Sequence, residues 1–270
     1  MGVVPPRGPA VTGDRPTAAD VKAANRSFYD AVGASYEAID GRRSPRLAAW
    51  VRAWLVRLRA AAPGGRLLDL GAGNGFVGRC AAGVFDHRVG LDISERVLEA
   101  GRGSYEETVV GDADRLPFPD ASFDAVTAFA TLHHCYDAAP LVAEVARVLR
   151  PGGVFRSDHD MDRAFHDRFR PLLAAWRRLH DAEARCRDGA GDEVARLRPL
   201  VEWHEAGIDT PGVVAAFERN GVAAGASFHW YGLWGPADAL FGDRAMPRGL
   251  APLASIAATR ARSGGDGGTP

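Results

Sequence analysis

The sequence predicts an α/β fold in which helices flank both faces of a parallel sheet. Three observations carry this reading. Short apolar runs alternate with helical periods from Arg66 to about residue 158. A glycine-rich turn joins the first of those runs to a helix. The 270 residues, 46% apolar and 25% charged, supply one large core or two modest ones. That composition excludes disorder throughout. The net charge of -1 offers no overall basic field for a nucleic acid backbone. No run approaches the ~20 apolar residues of a spanning helix, and the start lacks the pattern of an export or myristoylation signal. The expected class is a soluble cytoplasmic protein. Three cysteines without a Cys-x-x-Cys argue against a disulfide framework or a thiolate metal site.

Taken in order, residues 1–16 hold four prolines and are expected to be disordered, as is the Gly-rich tail 263–270. Thr17 and Asp20 form a capping-box pattern, and Phe28, Val32 and Tyr36 recur on one face of a helix reaching toward residue 40. Ser44 and Pro45 open a second helix, which Pro63-Gly64-Gly65 stops. Strand-like runs follow at 66–70, 88–91, 107–110, 123–130 and 153–158, with helices near 75–84, 94–102 and 138–149. Residues 161–209 break this rhythm with a long, Arg-rich, helical insertion or lid. Thr210-Pro211 opens another helix closed by Gly221, and Ala226–Trp234 reads as a late strand. Residues 237–260 read as more helical than extended, which leaves a final strand distorted, shifted into 252–260 or replaced. The division is a single domain over 17–262: N-terminal helices at 17–62, a core at 66–160, the insertion at 161–209 and a C-terminal part at 210–262.

The segment Leu67-Leu68-Asp69-Leu70-Gly71-Ala72-Gly73-Asn74-Gly75 carries chemistry. Glycines at alternate positions let main-chain N–H groups approach a ligand. Gly73, Gly75 and Gly78 fit G-x-G-x-x-G, but the pattern begins two residues late for a dinucleotide site. Asp69 would repel a pyrophosphate and suits a ligand with a cationic group. Asp92, about 20 residues on, is placed to bond a ribose diol in either case.

Gly111-Asp112-Ala113, the run Leu116 to Asp124, Leu132-His133-His134 and Val148-Leu149-Arg150-Pro151-Gly152-Gly153 follow in order. Over about residues 25–160 the chain strongly resembles the class I S-adenosylmethionine-dependent methyltransferases, in particular the ubiquinone/menaquinone-type small-molecule branch. The resemblance implies a Rossmann-like, doubly wound, mostly parallel seven-stranded sheet with S-adenosyl-L-methionine as cofactor. It implies that Asp69 and the backbone of Gly71, Ala72 and Gly73 surround the amino-acid end of the cofactor, and that Asp92 takes the ribose, with Ile93 beside the adenine. Asp112 accepts from the adenine amino group, Ala113 adds a backbone contact, and Phe129 and Ala130 pass beneath the methionine portion. Tyr29 and Tyr36 are lid candidates or ordinary core aromatics.

Methyl transfer from a sulfonium needs alignment more than a catalytic side chain. A hydroxyl acceptor benefits from a base, and His134 or His159, at predicted carboxyl ends of strands, is the candidate, with helix capping or pocket filling as the alternative. The acids Asp158, Asp160 and Asp162 with His159 and His166 match no specific metal motif and read as solvated acids and caps, so no metal is expected. The Arg-rich insertion has interleaved acids and reads as a mixed solvated surface. The expected partner is a small-molecule acceptor, without nucleic acid or membrane insertion, in a monomer or homodimer. The alternative readings are a cofactor-binding protein of the same fold that transfers no methyl group and an NAD-dependent oxidoreductase, the latter opposed by Asp69.

Overall fold

The computed structural model describes residues 15–33, 43–179 (side chains through Ala175), 196–233 and 235–262. Tyr36, Cys186, the remainder of the insertion and the predicted disordered tail lie outside the described residues.

Helix α1 (Ala18–Val32) starts at the predicted capping box and ends at Gly33, well before residue 40. Helix α2 (Pro45–Ala61) is capped by the Ser44 hydroxyl, which accepts from the Leu47 N–H. The central alternation follows as β1 (Arg66–Leu70), α3 (Phe76–Ala81), β2 (His87–Asp92), α4 (Glu95–Gly101), β3 (Glu107–Val110), β4 (Phe123–Phe129), α5 (Ala138–Val148) and β5 (Leu149–Met161). Helices α6 (Arg163–Leu179) and α7 (Arg198–Val201) belong to the insertion, and α8 (Thr210–Arg219), β6 (Val222–His229), α9 (Gly235–Phe241) and β7 (Leu253–Arg260) complete the chain.

The seven strands form one sheet in the order β3-β2-β1-β4-β5-β7-β6. The first five are parallel, and β7 pairs antiparallel with both β5 and β6. Two corrections to the sequence reading concern this end. The late strand lies at Val222–His229, not Ala226–Trp234, and residues 253–260 are a buried strand rather than a helix. Leu253 to Ile256 are all buried between β5 and β6, so the alternation that marks a one-sided strand is missing.

One core lies on the α5 and α8 side, where Leu141, Val145 and Phe217 meet Val126, Phe155 and Ile256. The other lies under α2 and α3, where Val51, Trp54 and Leu55 meet Leu67, Ala125 and Val154. Covering both faces leaves the carboxyl ends of the parallel strands as the open edge, where the order reverses between β1 and β4.

Candidate functional site

A cleft enclosing about 1010 Å³ of empty space, part of it open to solvent, lies over this edge. Its walls include Asp69, Gly71, Ala72, Gly73, Asp92, Ile93, Asp112, Ala113, Phe129, Ala130, Tyr29 and His134. Every cofactor-site candidate within the described residues therefore borders one space.

At the β1 end, Asp69 is 1% exposed and sits in register between Gly90 on β2 and Thr127 on β4. Gly90 matters for what it lacks: a Cβ there would fall 2.8 Å from the Tyr105 ring, so only glycine lets the ring lie against the sheet. Tyr105 then donates its hydroxyl to Asp69 Oδ2 at 2.6 Å, and Thr127 donates to Oδ1 at 2.8 Å. Burial pushes the Asp69 carboxyl up to about 6, while these two bonds and the Arg43 guanidinium pull the other way. Arg43 lines the same cleft, stacked over Phe76 and Phe129 at 4.6 and 5.1 Å from the ring centroids. A carboxylate and a guanidinium at one end form a pair suited to a zwitterionic amino acid.

Asp92, at the end of β2, accepts from the Gly73 N–H at 2.9 Å and the Ser94 N–H at 3.0 Å. Burial raises its pKa, against the opposing pull of these backbone bonds. The bond to Gly73 holds the glycine turn against β2. Gly73 has φ +52, and a Cβ built there meets nothing nearer than the Gly71 carbonyl at 3.9 Å, so this position faces the open cleft.

At the β3 end, Asp112 accepts from the Lys22 ammonium at 2.7 Å and from its own Asp114 N–H at 2.9 Å, and Lys22 also reaches Asp114 at 2.5 Å. Helix α1 thus lies across the cleft. Lys22, Asn25 and Tyr29, spaced i, i+3, i+7, line its inner face. Asp30 accepts from the Ser94 hydroxyl at 2.6 Å, and Tyr29 meets His134 Nε2 at 2.9 Å. Asn25 is 6% exposed, and its Oδ1 has no hydrogen-bond partner among the described residues. A buried acceptor of this kind on a cleft wall suits a ligand donor such as an adenosine hydroxyl or amino group. Lys22, Asn25 and Arg43 were not among the sequence candidates.

The methyltransferase domain family matches residues 68–156, the stretch that builds the glycine turn, Asp92, Asp112 and β4. Over that stretch, about a third of the chain, the sequence carries the pattern of a methyltransferase domain. The chain is 39% identical over 138 residues to the 27-O-demethylrifamycin SV methyltransferase of Amycolatopsis mediterranei, covering 48% of each. It is 39% identical over 129 residues to the demethylmenaquinone methyltransferase of a Mycobacterium species (strain KMS), covering 47% of this chain and 55% of that one. The chain spans about half the length of the curated relatives it matches. In fold, it is similar to a Thermotoga maritima S-adenosylmethionine-dependent methyltransferase structure, with a TM-score of 0.58 and 18% identity over 87% of this chain and 99% of that one.

The histidines separate by position. His134 borders the cleft, and the Val201 carbonyl lies 2.7 Å from its Nδ1. A carbonyl only accepts, so Nδ1 carries the proton and Nε2 keeps its lone pair toward Tyr29. Burial and the neighbouring His133 lower the His134 pKa to about 4. His133 is held instead by the buried Asp160, 2.7 Å from its Nδ1.

His159 does not border the cleft. Its ring packs on Phe129 at a centroid distance of 4.4 Å, and the sequence expectation that it meets an acceptor finds no support in this placement. A register shift in β5 between Ser157 and Asp160, with φ +68 at His159, turns Asp158 and His159 into one cluster with His229. Possible ligand atoms of these three residues lie within 4.8 Å of one another. The geometry is that of hydrogen bonds: His159 Nδ1 and His229 Nε2 each lie 2.9 Å from Asp158 Oδ1, and Arg156 occupies Oδ2 at 3.0 Å. A guanidinium there disfavours a second cation. The outer His159 Nε2 and His229 Nδ1 also lack the acceptors that orient metal-bound imidazoles. Burial opposes ionisation of Asp158, but its histidine partners outweigh it and hold the carboxyl well below the usual range.

Proposed function

We propose that the chain transfers a methyl group from S-adenosylmethionine to a small-molecule acceptor. The observation that carries this reading is the order of groups along one cleft: Asp69 with Arg43 at one end, Asp92 between, and the Asp112–Ala113 turn at the other. This matches the polarity of the cofactor, with a zwitterion at one end, a ribose diol in the middle and an adenine at the other. Asp69 would hold the ammonium, Arg43 the carboxylate, Asp92 the ribose hydroxyls, and Ile93 with the Asp112–Ala113 turn the adenine. When bound, S-adenosylmethionine supplies a methyl group already activated on its sulfonium.

The protein's work is then alignment and exclusion of water. Helix α1 covers the cleft, with Lys22 fastening it at the adenine end and Tyr29 at the methionine end. For a hydroxyl acceptor, His134 is the base: its Nε2 lone pair faces the Tyr29 hydroxyl, whose place an acceptor hydroxyl would take, leaving Lys22 to hold α1 in that state. Its low pKa keeps it unprotonated at neutral pH.

Calorimetric titration with S-adenosylmethionine and S-adenosylhomocysteine, with NAD as control, tests the cofactor assignment. Asp92→Ala is expected to weaken binding by about 1.5–3 kcal/mol, roughly ten- to a hundredfold. Binding of NAD without either adenosyl ligand would refute it. Release of S-adenosylhomocysteine during turnover with candidate acceptors separates transfer from binding alone.

A further inference from the structure

The apolar face of α1 rests on the insertion. Ala24, Phe28 and Val32 pack with Val201 of α7, and Tyr29, Leu197 and Leu200 close the edges of this cluster. None of these side chains belongs to either of the cores that flank the sheet. Toward the sheet, α1 offers polar bonds instead. Lys22 reaches Asp112 and Asp114, Asp30 accepts from the Ser94 hydroxyl, and Arg26 donates to the Ile93 carbonyl at 3.4 Å. Buried apolar packing resists separation, whereas half-exposed ion pairs each contribute little, so the weak seam runs between the α1–α7 pair and the sheet.

Both helices of the pair reach one side chain below that seam. The Val201 carbonyl lies 2.7 Å from His134 Nδ1, the Tyr29 hydroxyl 2.9 Å from its Nε2, and the Asn25 amide donates to the His134 carbonyl at 3.4 Å. The Val201 carbonyl is the group that locates the imidazole proton, since it only accepts. Its own position follows from the Val201 side chain, which is 1% exposed and packed against α1. The charges around the ring come from other elements. His133 stacks on it at a centroid distance of 3.9 Å, with Asp160 of β5 2.7 Å from His133 Nδ1 and Glu202 of the insertion 3.6 Å from His133 Nε2. These three bear on how readily His134 takes a second proton, and the Val201 carbonyl on which nitrogen holds the first.

We propose that α1 and α7 close as one body and that this closure completes the base, with Val201 of the insertion as its positioning residue. Swung off the sheet together, the two helices carry away the Val201 carbonyl and the Tyr29 hydroxyl in one movement. Nδ1 then lacks the acceptor that holds its proton, and the proton distributes over both nitrogens. An open cleft therefore presents an N–H where the closed one presents a lone pair. Water reaching the ring also restores the proton affinity of an ordinary imidazole. The inference rests on the reading of His134 as base and adds that the insertion decides when that base is formed.

The test is nitrogen NMR of the full chain with isotope-labelled histidine rings, His134 being assigned by the signals lost in His134→Gln. Expected in the parent at neutral pH are a protonated Nδ1 and an unprotonated Nε2. Phe28→Ala/Val32→Ala and Leu197→Ala/Leu200→Ala loosen the contact between the helices without removing a group bonded to His134. In both, the Nε2–H form should appear, and the titration midpoint should rise by at least about one pH unit from near 4 toward the ordinary 6.5. Saturating S-adenosylhomocysteine, which closes α1 over itself, should return both variants toward the parental spectrum. Circular dichroism establishes that they fold. Should neither fold, hydrogen exchange of the parent decides: the amides of α1 and α7 should share one opening free energy, lower than that of β1 and β4. Folded variants with the parental His134 spectrum, a parent with its proton on Nε2, or separate opening of the two helices would overturn the proposal. The spectra need no acceptor, so they stand or fall apart from the turnover of His134→Gln, which tests the base itself.

Discussion

Replacing Asp69 with asparagine is expected to move stability and cofactor affinity in opposite directions. The buried carboxyl has its pKa pushed up to about 6 from an ordinary 3.8, so about two pH units of unfavourable ionisation are present at neutral pH, roughly 3 kcal/mol. Asparagine removes that cost. It also sets an amide donor against one of the two hydroxyls, Tyr105 and Thr127, that donate to the carboxylate, which returns about 1.5 kcal/mol. The net expectation is about 1–2 kcal/mol of added stability at pH 7.5. Because the folded pKa exceeds the unfolded one, the folded parent binds more protons between about pH 4 and 6, and this group's contribution to stability rises as pH falls through that window. The variant should lose that rise. Affinity for S-adenosylhomocysteine should fall at least about tenfold with loss of the charge facing an ammonium. In the parent, affinity should weaken below about pH 6 as Asp69 takes up a proton. Thermal melts and titration calorimetry at pH 7.5 and 5.5 measure both quantities. A variant that is destabilised yet binds with parental affinity at both pH values would show that Asp69 only braces Tyr105 and Thr127.

Three further outcomes are expected. Lys22→Ala should weaken S-adenosylhomocysteine binding about three- to fivefold, mainly through faster release; stopped-flow dissociation at two salt concentrations checks this, since added salt should narrow the difference. For a hydroxyl acceptor, His134→Gln should leave S-adenosylhomocysteine affinity within about twofold and lower kcat about a hundredfold or more; the pH–rate profile should lose the acid limb near pH 4 that is expected of the parent. Asp158→Asn should cost about 3 kcal/mol by leaving Arg156 and two histidines facing a neutral amide, lowering Tm by roughly 6–12 °C. With its folded pKa depressed, Asp158 stabilises the parent above about pH 4 and loses that effect as pH falls through the folded value, so the gap between variant and parent should close in acid.

The glycine turn, Asp69, Asp92 and the Asp112–Ala113 pair were legible because each sits within a few residues of a strand end, where local spacing reports spatial position. The pairing of β7 was not. Its Ala-rich sequence is covered on both sides by β5 and β6, and only those long-range partners make it extended. Lys22, Asn25 and Arg43 were missed for a related reason: no spacing rule links position 22 to 112 or 43 to 69. The available signal was the i, i+3, i+7 stripe of Lys22, Asn25 and Tyr29, a polar face adjoining the apolar one traced through Phe28 and Val32. His159 misled because strand-end placement fixes which end of the sheet a residue occupies. It does not fix the direction of the side chain, which here follows the shift in β5 register.

Lys22 is the only lysine in the sequence, and its amine fastens α1 over the cleft. Burial draws its pKa down, but Asp112 and Asp114 outweigh it and the net shift is upward, which keeps the amine protonated and unreactive while α1 is closed. Freed from its carboxylates, it becomes an ordinary nucleophile. The rate at which an acylating reagent modifies this one side chain therefore measures how often the lid stands open, without a probe having to be engineered into the protein.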